Sequence, residues 1–108
     1  MSWDVSLVRT KASAESVEEI DRRYFLLEEV VEMLEAHLVG IEKADSTWLD
    51  YETCDYAVSF QLAPEEIVLY IHLLDDNGEA TVMTLIGNLC TWLDCRAIDR
   101  TENKFIET

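Results

Sequence analysis

Glycine and proline are nearly absent, three and one among 108 residues, which excludes collagen-like repeats and leaves no glycine-rich loop to cradle a phosphate. GxGxxG, the Walker loop, GxSxG and HExxH are missing as well, so no familiar nucleotide, acyl-transfer or zinc-hydrolase chemistry is written in the chain. Basic residues are scarce: eight Lys and Arg face 23 Asp and Glu, a net charge of −15 with both histidines neutral. Phosphate repels such a chain, which disfavours direct nucleic-acid binding. The longest nearly apolar stretch, residues 67–74, is broken by His72 and falls far short of the roughly 20 residues that cross a bilayer, so no membrane span is expected. Residues 1–11 lack a basic stretch followed by an apolar one, and the expected location is the cytoplasm. Cys54, Cys90 and Cys95 are odd in number and show no CxxC spacing, which reads as reduced thiols serving as small buried hydrophobes.

What is present is a core. With 49% hydrophobic and 29% charged residues, the chain reads as one domain over 1–108 that buries roughly two-thirds of its unfolded surface without disulfide or metal staples. Trp3, Val5 and Leu7 alternate with Asp4 and Ser6 and predict a strand over residues 3–9. Ser16 and Glu19 have capping-box spacing ahead of Leu27, Val30, Val31, Leu34 and Leu38, which predicts a helix starting at Ser16 or nearer Asp21 and stopping at Gly40. Residues 42–53 show no clear period and read as a long surface loop. Residues 56–62 and 67–74 then form a hairpin about Ala63-Pro64-Glu65-Glu66, and the second strand, apolar on both sides, is expected at the centre of the sheet.

Asp76-Asn77-Gly78 is a hairpin-turn signal, yet Val82, Leu85, Ile86, Leu89 and Leu93 recur at helical spacing over a run too long for a usual strand. A helix is the reading adopted, with its start near Glu79 left open between helix and strand. Residues 95–99 and 104–106 give two short extended pieces about a turn at 101–103. The order is β-α-β-β-α-β, a two-layer α+β sandwich with an antiparallel-rich sheet and two helices on one face, ferredoxin-like or a variant of it.

The charge is unevenly spread. Residues 41–80 hold one lysine against ten carboxylates, a net −9, while the segments before and after carry −5 and −1. Glu42, Asp45, Asp50, Glu52 and Asp55 surround Trp48 and Tyr51, a mixture in which aromatic rings anchor and carboxylates pair with Arg or Lys. The plainer reading of that loop is a solvated stretch whose Trp48 packs back on the domain. Asp75, Asp76 and Asn77 lack the full calcium-loop pattern and read as a capping turn, so neither metal nor cofactor is expected. His37 reads as a surface residue and His72 as a hydrogen-bonded core histidine. Pairing Cys54 with His72, or Cys90 with His37, would need spatial adjacency to matter. No catalytic residue is assigned.

Met1-Ser2-Trp3-Asp4-Val5, Ser16-Val17-Glu18-Glu19-Ile20, the 56–62 strand, Ile71-His72-Leu73 and Arg96-Ala97-Ile98-Asp99 through Phe105-Ile106 resemble a family of small bacterial proteins, some of which look like immunity proteins of polymorphic toxin systems. That family's last motif reads Arg-Ala-Phe-Asp-Thr with a Thr-Gly-Glu-Phe turn; Arg100 replaces the first Thr here, and Glu102-Asn103-Lys104 replaces the turn. Asn103 adopts the left-handed conformation of a glycine at little cost. The resemblance implies a monomer or weak homodimer that neutralises a cognate toxin with a basic surface, such as a nuclease, rather than an enzyme. Rival readings are a nucleic-acid mimic that fills a nuclease channel, and a structural subunit that self-associates through the 56–74 sheet face.

Overall fold

Alternation of apolar and polar residues builds the centre of the sheet. In the computed structural model, which describes residues 2–10 and 24–106, β1 (Ser2–Val8) lies between β5 (Ile67–Leu73) and β6 (Arg96–Asp99) and is antiparallel to both. β4 (Tyr56–Leu62) pairs antiparallel with β5 through the expected hairpin, closed by the Ala63 N–H donating to the Glu66 carbonyl at 3.1 Å. Outside β4 lie β3 (Trp48–Glu52) and β2 (Glu42–Asp45), and outside β6 lies the two-residue β7 (Lys104–Phe105). The seven-stranded order is β2-β3-β4-β5-β1-β6-β7. The expected central place of the 67–74 strand is therefore correct.

Two helices cover one face. α1 (Leu27–His37) buries Val30 and Leu34, and α2 (Gly78–Leu93) buries Val82, Leu85, Ile86, Leu89 and Leu93, the set its spacing predicts. They close over Val5, Leu7, Leu49, Val58, Phe60, Leu69 and Ile71 from the sheet. His37 and Trp92 stack at 4.1 Å between ring centroids, 7° from parallel, and tie the exposed end of α1 to α2. The α+β sandwich of two helices on an antiparallel sheet is thus the architecture.

Several expectations need correction. Residues 42–53 are not a loop: β2 and β3 form a hairpin that extends the sheet, because Leu49 is fully buried beneath the helices while Trp48, Asp50 and Glu52 take the opposite face. Among the described residues, nine elements replace the six expected. The first helix begins at Leu27, later than Ser16 or Asp21, and those two positions, with Glu19, lie outside the described residues. The Leu38 to Ile41 turn that follows α1 has Gly40 at φ +89°, where a glycine is required at its third position. β5 is covered on both faces only at Val68, since Tyr70 and His72 on the second face are exposed. Cys54 is exposed and Cys90 and Cys95 are half-buried, so none of the three is a fully buried thiol. Asn103 does take a left-handed conformation, φ 55°.

Ser6 is 2% exposed and its hydroxyl has no hydrogen-bond partner, flanked in register by Val68 and Ile98. An unpaired buried hydroxyl costs free energy that a methyl group does not. Ser6→Ala is expected to raise stability by about 1 kcal/mol, read as a higher urea midpoint at unchanged m-value. A lower midpoint would show that the hydroxyl is satisfied in solution.

Candidate partner-binding face

The sheet face opposite the helices carries the acidic and aromatic residues. On β3, Trp48, Asp50 and Glu52 project together because they are two residues apart, and their neighbours on β4 are Gln61, Ser59 and Ala57. One strand further, β5 presents Val68, Tyr70 and His72 in register with these three. Glu42 on β2 lies opposite Asp50. The face thus brings Glu42, Trp48, Asp50 and Glu52 together and adds Tyr70, Ser59 and Gln61, which sequence reasoning did not single out.

Hydrogen bonds hold this patch in shape. The Trp48 indole N–H donates to Asp50 Oδ1 at 3.0 Å, and the Ser59 hydroxyl donates to the same oxygen at 2.6 Å. Asp50 therefore fixes the indole plane, which stacks on Tyr70 with centroids 5.7 Å apart and planes 19° from parallel. The Tyr70 hydroxyl donates to Gln61 Oε1 at 2.9 Å. Tyr70 remains 37% exposed, so the pair offers a wet, rigid aromatic platform. Beside it, Glu42, Asp50, Tyr51, Glu52, Ala57 and Ser59 are among the residues lining an open depression of about 470 Å³. Trp48 thus does pack back on the domain, yet along the sheet surface rather than into the core.

The remaining predicted residues go elsewhere. Tyr51 points to the helix side and meets Tyr56 at 6.3 Å between centroids. Burial, followed by the nearby Tyr51 and Asp55, pushes the Tyr56 phenol up to about 12. Asp45 sits opposite Trp48 past a bulge, but its carboxylate accepts the Thr47 N–H at 2.7 Å and the Thr47 hydroxyl at 3.1 Å, and these bonds hold it below the usual carboxylate range. Asp55 belongs to the turn before β4. Its carbonyl accepts the Leu74 N–H at 2.9 Å and its Oδ2 accepts the Thr81 hydroxyl at 3.3 Å, so it clamps that turn to the start of α2. His72 is exposed on the open face and is not a core histidine, whereas His37 is exposed as expected.

Asp75, Asp76 and Asn77 form a turn ahead of α2, with the Asn77 N–H donating to Asp75 Oδ1 at 2.9 Å, but the N-cap residue Asn77 makes no side-chain bond to the helix, so the expected cap is not formed. Partial loss of solvent, followed by the bond to Asp55 and its charge, pushes the Asp75 carboxyl above the ordinary 3.8. A carboxyl raised by folding ionises first in the unfolded chain, so its contribution to stability falls as pH rises from the ordinary aspartate range through the raised value. Asp75→Asn keeps the acceptor for Asn77 and removes the charge. The variant is expected to melt higher than wild type at neutral pH, with the gap closing below the ordinary aspartate range; a constant gap across pH would contradict this.

Edge strand β2 is exposed along its whole length, carries Glu42, Lys43 and Asp45, and is bulged, features that discourage pairing with another sheet edge. Among the described residues, no group of three or more His, Cys, Asp or Glu is placed to hold a metal ion, and no helix is long and apolar enough to cross a membrane. No family model matches the sequence, and no curated protein or solved structure matches it either. Fold and face together describe an α+β sandwich with an open, acidic, aromatic sheet surface.

Proposed function

We propose that this chain is an inhibitor of the immunity type, acting in the cytoplasm, which neutralises a cognate toxin by laying its open sheet face on a basic surface of that partner. The observation that carries the reading is the Trp48–Tyr70 stack, half-exposed on a sheet face that no helix among the described residues covers and bordered by Glu42, Asp50 and Glu52. Aromatic anchors amid carboxylates match what an Arg- and Lys-rich patch requires: a flat surface for guanidinium stacking and charges to pair with it. A nuclease, with its cationic substrate cleft, is the toxin class such a face would suit. The field of a −15 chain would speed encounter with it. The strands β1, β4, β5 and β6, with α1 and α2, are taken as a ferredoxin-like frame to which the β2–β3 hairpin and β7 have been added, and the hairpin supplies half of the face.

The bulged, charged β2 edge discourages edge-to-edge assembly, whereas a subunit that self-associates through the 56–74 sheet face would sediment as a stable dimer with no other partner. Co-expression with the toxin domain encoded beside this gene tests the proposal. Restored growth together with co-purification is the expected result. A chain that neither binds that domain nor rescues growth is not its inhibitor.

A further inference from the structure

The sixteen-residue α2 ends on Asp94 in a left-handed conformation, φ 49°, and the Cys95 N–H then donates to the Cys90 carbonyl at 3.0 Å. This bond from the sixth residue back to the first defines a helix stop in which those two side chains meet, usually as an apolar pair. Here both are thiols. Both are half-buried against the core, and the Cys95 Sγ approaches the Leu89 carbonyl at 3.8 Å.

We propose that Cys90 and Cys95 are an oxidisable pair that closes into a reversible disulfide across the end of α2. The proposal is independent of the partner-binding face. A disulfide needs two cysteines whose backbones are close, and the 3.0 Å bond from the Cys95 N–H to the Cys90 carbonyl holds these two together at the helix stop. The two sulfurs are also unequal. The neighbouring Cys95, followed by the Ala97 backbone and the charge of Arg96, holds the Cys90 thiol below its usual range. Cys90 beside it, with burial, pushes the Cys95 thiol up. Cys90 is therefore the first nucleophile and Cys95 the resolving thiol.

With a glutathione-type disulfide as oxidant, the Cys90 thiolate attacks one sulfur, forms a mixed disulfide and releases a glutathione thiolate. Cys95 then attacks the Cys90 sulfur, expels the second glutathione and gives up its proton to the thiolates released. The protein loses two electrons and two protons, and one disulfide becomes two thiols. The closed bridge would tether the last turn of α2 to the start of β6, beside Arg9, whose Nε and Nη2 donate to the Leu93 carbonyl at 3.1 and 3.0 Å.

Native protein treated with oxidised glutathione, alkylated and mapped by peptide mass spectrometry provides the test. The expected product is a Cys90–Cys95 peptide short of two hydrogens, restored by dithiothreitol, while exposed Cys54 carries glutathione or stays free. In Cys90→Ser the bridge is lost and Cys95 reacts more slowly than Cys90 does in Cys95→Ser. Finding Cys90 and Cys95 both free, or each carrying its own glutathione, in the folded wild-type protein would overturn the proposal without need of either variant.

Discussion

Gly78→Ala is expected to lower the thermal midpoint by about 10 °C, although alanine is the better helix former by about 1 kcal/mol. Gly78 opens α2, and a Cβ there would stand 2.6 Å from the Asp55 carbonyl oxygen and 3.2 Å from Leu73 Cδ2. The nearer obstacle is backbone, pinned by the Leu74 N–H at 2.9 Å, and cannot rotate away as a side chain would. Either α2 shifts off the sheet or the turn before β4 gives up its bonds to Leu74 and Thr81. Overpacking of this kind costs about 1–3 kcal/mol, and the rigid obstacle places Gly78→Ala toward the upper end. Differential scanning calorimetry reads the effect directly. An unchanged or higher midpoint would mean that α2 and the Asp55 turn approach less closely than described.

Under the proposed function, Trp48→Ala is expected to weaken binding of the toxin partner by roughly 30-fold, the loss of about 2 kcal/mol that a central aromatic anchor supplies. The indole is the centre of the patch: it stacks on Tyr70, receives its orientation from Asp50, and stands between the acidic depression and the exposed rings. Its removal also frees Tyr70 from the stack, so part of the loss is order rather than contact. Tyr51 and Asp55 make the internal comparison. Both were grouped with Trp48 by sequence proximity, yet they sit away from the face, and their replacement should act through stability instead.

How far the sequence speaks for the structure depends on the periodicity available. Val82, Leu85, Ile86, Leu89 and Leu93 outweigh the hairpin-turn signal at Asp76-Asn77-Gly78 and announce α2, because a sixteen-residue helix repeats its apolar stripe several times. The β4–β5 hairpin is equally plain from its alternation about Pro64. The β2–β3 hairpin is hidden for two reasons. β2 is four residues with no buried position, and β3 has aromatic rings on both faces, Trp48 on one and Tyr51 on the other, which erases the contrast between polar and apolar. Its one fully buried residue is Leu49. The candidate site suffers the same blur. Composition identifies an acidic, aromatic segment, but it takes a strand register to separate Asp50 and Glu52 from Tyr51 and Asp55, and to add Tyr70 from a strand twenty residues away.

The most direct measurement of the binding face is the salt dependence of the association rate with the toxin domain, compared between two charge-reversed pairs. Glu42→Lys with Glu52→Lys changes the open face, and Glu28→Lys with Glu32→Lys makes the same change in net charge on the exposed side of α1. The face reversal should slow association markedly and flatten its dependence on salt, while the helix reversal leaves the slope nearly as it was. Equal effects from the two pairs would mean that overall charge steers the encounter, and the open face would not be where the partner lands.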